Sequence, residues 1–207
     1  MRRRKTEAMP NAKGTIYVIA GPSGVGKGTV ISRVLADNAA LYYSISATTR
    51  APREKECDGV HYFFLSKEAF LEKAARGEFL EYAQYVDNYY GTPAESVDSR
   101  IAAGVSVVLE IDTQGALQVK KNRPEAVLIF VAAPSFEALE SRLRGRGTET
   151  EEKIQKRLRE ARREYTVGHE FDYIVLNDDV IHAKEQIEAI MTAENCRTRN
   201  RIYLNEV

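Results

Sequence analysis

The sequence predicts an α/β fold: a parallel sheet with helices on both faces, interrupted by an inserted module and a helical lid. Three observations predict it. Short apolar runs rich in β-branched residues alternate with stretches of helical periodicity, the pattern of strand–helix–strand units. The first apolar run leads straight into a glycine-rich loop and then a helix. Two stretches, one rich in tyrosine and one in arginine and glutamate, break the alternation.

Residues 15–20 read as a buried strand, and 26–36 as a helix with Val30, Val34 and either Leu35 or Leu41 facing inward. Further buried strands are expected at 105–111, 127–132 and 173–176, with helices at 93–103, 113–121, 135–143 and 180–193. Residues 42–92 hold seven of the eleven tyrosines. There, 60–65 and 79–86 read as strands of a different sheet, flanking a helix at 66–75 with Ser66 as its N-cap. In the second irregular stretch, Ile154, Leu158, Ala161 and Tyr165 fall at helical spacing, and Thr148 and Glu151 have capping-box spacing. The expected division is a solvated tail (1–13), core (14–44), module (45–92), core (93–141), lid (142–168) and core (169–207).

Composition narrows the function classes. A chain of 207 residues, 43% of them hydrophobic, suits one folded core with insertions. Thirty basic residues balance thirty acidic ones, so a general nucleic-acid coat is not expected. The longest apolar run, 126–133, is far short of the ~20 residues that span a bilayer. The basic start has no apolar stretch after it, so no secretory signal is expected; whether the chain starts at Met1 or Met9 stays open. Cys57 and Cys196 form no metal-ligand pair and suit a reducing, cytoplasmic setting. Nothing in the pattern demands or forbids a dimer, and the oligomeric state stays open.

The loop Gly21, Pro22, Ser23, Gly24, Val25, Gly26, Lys27, Gly28, Thr29 follows a strand and opens a helix. Glycines let backbone N–H groups approach a phosphate, and the helix N-terminus adds positive potential. Lys27 can reach the β- and γ-phosphates. The predicted class is therefore a P-loop parallel sheet. The strict pattern has Ser or Thr directly after the lysine to meet Mg²⁺; here Gly28 stands there and Thr29 follows. Phosphate binding is expected to survive, with Mg²⁺ held by phosphates and waters and with Thr29 or Asp112 bonding to those waters. Glu110 and Asp112 are two apart near the carboxyl end of the strand, so they are expected to share one of its faces. The other reading makes Asp112 a helix cap.

Arg50 and Arg53 flank Pro52 and can converge on one anion; surface charge is the alternative. Tyr62, Tyr90 and Thr92 offer hydroxyls, and Glu81 a carboxylate able to accept two parallel N–H bonds, as the guanine edge presents. Singly, each of these is also an ordinary buried residue. Arg159, Arg162 and Arg163 read as a solvated helix face. Arg146, between two glycines, stands out.

In order, GPSGVGKGT (21–29), SATTRAPR (46–53), GVHY (59–62), EFLE (78–81), NYYGT (88–92), EIDTQG (110–115), RLRGRGTETE (142–151) and NDD (177–179) resemble the guanylate kinase family across about 14–195. The resemblance implies transfer of the γ-phosphoryl group from ATP to GMP, and to dGMP as a second substrate, with Mg²⁺ as cofactor. It makes 45–92 a nucleotide-monophosphate-binding module. It implies that Arg50, Arg53, Tyr62 and Tyr90 hold the GMP phosphate, that Ser46, Glu81, Thr92 and Asp112 read the base and its surroundings, and that Asn177 lies near the adenine. Lys27, Arg50 and the lid arginines Arg142, Arg146 and Arg157 would act on the transferring group. Glu110, in the same GMP set, departs from the pattern, which has aspartate there. Another phosphotransferase on this scaffold and a non-catalytic interaction module are the competing readings.

Overall fold

The computed structural model describes residues 13–145 and 150–197. The chain begins with strand β1 (Ile16–Ala20), helix α1 (Lys27–Asp37) and the short strands β2 (Tyr42–Tyr43), β3 (Ala47–Thr48) and β4 (Phe63–Phe64). Helix α2 (Lys67–Ala75) leads to the hairpin β5 (Phe79–Tyr85) and β6 (Asn88–Pro93). Then come α3 (Ala94–Ala102), β7 (Val107–Glu110), α4 (Thr113–Asn122), β8 (Val127–Ala132) and α5 (Phe136–Arg144). Helix α6 (Glu151–Thr166), a 3₁₀ turn (Gly168–Glu170), β9 (Tyr173–Leu176) and α7 (Val180–Asn195) complete the described chain.

Among the described residues, β2-β7-β1-β8-β9 form a five-stranded sheet, parallel throughout. Strands β1 and β8 are buried along their whole length, as their unbroken apolar sequences require. Side chains alternate across the sheet. Tyr17, Ile19, Ile129 and Val131 pack under α1, α5, α6 and α7. Ile16, Val18, Leu128 and Phe130 pack against α3 and α4 through Val97, Ala116 and Val119. The predicted α/β class, with helices on both faces, is the observed one. In α1, Ile31 joins Val30 and Val34 in the core, while Leu35 and Leu41 are both only partly buried.

A second sheet, β4-β3-β6-β5, is built wholly from residues 47–93. Its core is Phe70, stacked on Phe79 at 4.4 Å and on Tyr89 at 5.5 Å between ring centroids. Ser66 caps α2 as expected, accepting the Ala69 N–H at 3.1 Å.

Several expectations change. Only Phe63–Phe64 of the expected strand 60–65 is extended, because residues 57–62 fold into a turn closed by Gly59 N–H to the Tyr62 carbonyl. Strand β7 stops at Glu110, so Asp112 does not share a strand face with it; Asp112 caps α4, accepting the Gly115 N–H at 2.7 Å. Helix α6 starts after Thr150, whose side chain makes no capping bond, so Glu151 does not complete a box. Thr148, its expected partner, lies outside the described residues, as does Arg146. The stripe itself holds: Ile154, Leu158 and Ala161 are buried, with Tyr165 packed beside them.

Candidate active site

The site lies at the carboxyl ends of β1 and β7, where open parallel sheets bind ligands. The phosphate loop leaves β1 through Gly21, at φ 140°, where a Cβ would stand 2.2 Å from the Val131 carbonyl oxygen. Gly26, at φ 91°, is the residue before α1, and a Cβ there would stand 2.7 Å from Asn177 Nδ2. Only glycine meets both the left-handed backbone and the close approach at these two points. Behind the loop, the Val25 carbonyl accepts from Asn177 Nδ2 at 2.6 Å and from Arg142 Nη1 at 3.3 Å. Arg142 Nη2 also donates to the Asn177 carbonyl at 2.8 Å. Arg142 and the buried Asn177 thus brace the loop's backbone.

Lys27 folds back over the loop, donating to the carbonyls of Gly21 and Pro22, the latter at 3.1 Å. Burial lowers its pKa, and the carboxylates of Glu164, Glu110 and Asp112 act against that shift. Helix α6 lies along the loop: Arg157 Nη1 donates to Ser23 Oγ at 3.0 Å. Glu164, seven residues on and so on the same helix face, has its pKa raised by burial, with the Lys27 charge acting against it.

Glu110 stands beside the first turn of α1: a Cβ on Gly28 would lie 3.7 Å and 3.9 Å from its two carboxylate oxygens. Tyr43 donates its hydroxyl to Glu110 Oε2 at 3.1 Å. Burial, first, and Glu110, second, push the Tyr43 phenol pKa up. Thr29 is exposed on the same turn.

Between the two sheets lies a cavity of about 280 Å³ lined by Ser46, Tyr62, Glu81, Tyr90, Glu110 and Asp112, among others. The sheets bring together residues that the sequence separates by up to 66 positions. At its floor Glu81 is only 7% exposed and accepts the Thr92 hydroxyl at 2.6 Å. Burial pushes its pKa up to about 7; the Thr92 bond opposes the shift and the Asp112 charge adds to it. Gly115 sits against the same carboxylate, where a Cβ would stand 2.9 Å from Glu81 Oε2.

Arg50 lies at one margin. Its Nη2 donates to both Glu56 oxygens at 2.9 Å, and its Nη1 to the Ala51 carbonyl at 2.8 Å. Its guanidinium carbon lies 5.5 Å from the centre of the Tyr62 ring. The Arg53 side chain is exposed, while its backbone N–H donates to Glu56 Oε2 at 2.9 Å.

Sequence reading missed Tyr43, Glu56 and Glu164. Tyr43 and Glu164 carry no local signal, since only the sheet and the packing of α6 bring them in. Glu56 had one: an acid three residues after Arg53, at turn spacing.

A strand, a glycine turn and a helix opening on Lys27, at the carboxyl end of the central strand of a parallel sheet, define a P-loop nucleotide-binding protein. A cavity lined by Glu81, Glu110 and Asp112, among others, lies beside the loop. The family profile described as guanylate kinase matches residues 13–194. The chain is 49% identical over 194 residues to a guanylate kinase of Halalkalibacterium halodurans, covering 94% of this chain and 95% of that one. It is 46% identical over 196 residues to one from Desulfitobacterium hafniense, covering 95% and 98%. The crystal structure of guanylate kinase from Anaplasma phagocytophilum matches with a TM-score of 0.73 and 31% identity, over 93% of this chain and 92% of that one. The chain belongs to the guanylate kinase family, whose members phosphorylate GMP with ATP.

Proposed function

We propose that this chain transfers the γ-phosphoryl group of ATP to GMP, with the ATP phosphates in the loop 21–29 and GMP in the cavity between the sheets. The observation that carries this is the shared wall. Glu110 lines the acceptor cavity, and its carboxylate lies 3.7 Å from where a Cβ on Gly28 of the loop would stand, so the donor loop and the acceptor pocket adjoin.

In this reading Arg50, Arg53, Tyr62 and Tyr90 hold the GMP phosphate. Ser46, Glu81 and Thr92 read the base, with Asp112 beside them. Thr92 occupies one Glu81 oxygen and so orients the carboxylate. Guanine offers two adjacent N–H donors on that edge, which suit an ionised Glu81; adenine has an acceptor in place of one of them. Residues 142–168 act as the lid. Arg157 already reaches Ser23 from it, and Arg146 is assigned with it by its place between two glycines and by the resemblance. Arg142 and Asn177 shape the loop and border the adenine side.

The acceptor is a phosphate oxygen, and with a second pKa near 6 it is mostly dianionic at pH 7, so no general base is required. The barrier to overcome is repulsion between anions, which Lys27 and the arginines offset while the lid excludes water. The site suits Mg²⁺. Glu110 and the Thr29 hydroxyl are hard oxygen donors beside the loop, and phosphates and waters would complete the coordination. Among the described residues there is no group of three or more His, Cys, Asp or Glu that could hold a metal ion. When bound, Mg²⁺ supplies charge neutralisation. The same pocket would take dGMP.

No described helix is long and apolar enough to cross a membrane. Exposed Cys57 and Cys196 suit a reducing cytoplasm.

The test is ADP release from ATP·Mg²⁺ with GMP, AMP, CMP and UMP supplied in turn. Turnover with GMP alone is expected. Equal turnover with AMP would remove Glu81 as the base reader, and no turnover from folded protein would favour the interaction-module reading.

A further inference from the structure

Glu56 belongs to none of the sets assigned so far, yet it is the most heavily engaged carboxylate around the acceptor cavity. Its oxygens accept Arg50 Nη2, each at 2.9 Å, and Oε2 also accepts the Arg53 backbone N–H at 2.9 Å. Its own N–H donates to the Arg53 carbonyl at 2.9 Å, so the carboxylate is anchored within its own turn. The Arg50–Glu56 side chains are only 19% and 16% exposed, unlike the solvated ion pairs that contribute little.

Arg50 is thereby gripped on three sides. Glu56 takes one nitrogen, the Ala51 carbonyl another, and the Tyr62 ring lies against the guanidinium at 5.5 Å from its centroid. Tyr62 and Tyr90, whose ring centroids are 6.1 Å apart, connect this grip to the cavity wall. An arginine side chain carries several free torsions, and ordering them at the moment of binding weakens affinity. A partner that orders them beforehand removes that cost.

Resting on the GMP reading above, we propose that Glu56 is a positioning residue: it holds the Arg50 guanidinium ready for the acceptor phosphate without touching the substrate. Its negative charge does not reverse the attraction. Arg50 and Arg53 together outweigh it by one positive charge. Its attachment to the Arg53 backbone keeps the carboxylate in its turn, so it does not swing out to compete as an anion.

Glu56→Gln tests this at constant shape. A carboxamide has one acceptor oxygen, so it can serve the Arg53 N–H or Arg50 but turns an NH₂ donor toward the other. The expected result is a rise of about tenfold in the KM for GMP, the scale of one lost charge-assisted hydrogen bond. The KM for ATP and the Kd for guanosine, which lacks the phosphate, should hold at wild-type values. Glu56→Asp keeps the charge and both oxygens and should recover part of the loss. An unchanged or lower KM for GMP in Glu56→Gln would make Glu56 a mere counter-ion that the phosphate displaces, overturning the proposal. So would a parallel loss of guanosine affinity, which would mark collapse of the whole module. A wild-type chain that binds guanosine no better than adenosine would instead sink the GMP reading.

Discussion

In the function proposed above, the two halves of the site recognise anions by different means. On the ATP side, nine consecutive residues form the phosphate loop, and the working groups are largely backbone: a helix N-terminus, close-approach glycines and one lysine. On the GMP side the groups are side chains from residues 46 to 112, gathered by a second sheet and the carboxyl end of β7 in the first. A backbone site is local and tolerates side-chain change except where a Cβ would intrude. A side-chain site depends on every hydroxyl and carboxylate, and on whatever holds each one still.

The sharpest contrast comes from removing one charge on each side. Lys27→Met should lower kcat by about 10³-fold or more, because a charge aimed at the transferring group acts most strongly in the transition state. Steady-state kinetics showing only a raised KM for ATP would move Lys27 out of that role.

Glu81→Gln should follow. Turning one acceptor into a donor against a base that donates should cost about 10²-fold or more in kcat/KM for GMP, with little change in the KM for ATP. Glu81 also carries a pH signature. Its folded pKa, raised from 4.5 to about 7, means that the folded chain keeps a proton that the unfolded chain loses. This group's contribution to stability therefore falls as pH rises from about 4.5 to about 7 and then levels off. Chemical denaturation across that window should show the slope in the ligand-free chain and a flatter profile in Glu81→Gln. Equal slopes would mean that Glu81 is not the group responsible.

The smallest effects lie within the loop, and they should differ in sign. Gly26→Ala meets both φ 91° and a Cβ contact at 2.7 Å to Asn177, so it should destabilise by about 1–3 kcal/mol. Gly28→Ala sits in the first turn of α1 with only an ordinary contact at 3.7 Å, and should stabilise by up to about 1 kcal/mol. Thermal melts that moved both the same way would show that backbone geometry does not govern the loop.

Legibility follows the same division. Strand β8 matches its expected limits and β1 begins one residue late, because a fully buried strand must be apolar throughout; β9 matches its limits but not its expected burial, since it lies at the sheet edge with Ile174 and Leu176 exposed. The expected cap Ser66 accepts the Ala69 N–H at the helix start, a bond set by neighbours in sequence. Strands β2 and β3, two residues each, are too short for any period, and β6 carries Gly91 and Pro93, which weaken strand propensity. Their existence depends on pairing: Ala47 opposite Gly91 in β6 and opposite Phe63 in β4, and Tyr42 opposite Val107 in β7.

By itself, the sequence determined the α/β class, the phosphate loop with its lysine, the burial of the central strands and the family. These rest on local backbone geometry, on continuous apolar burial, and on motifs long enough to be specific. Tertiary structure alone decided that Glu81 is buried deeply enough to hold a proton near pH 7, and that Tyr43 meets Glu110. It alone closed Arg50 onto Glu56. Desolvation and side-chain hydrogen bonds are set by which surfaces the fold brings together, and sequence spacing does not encode that.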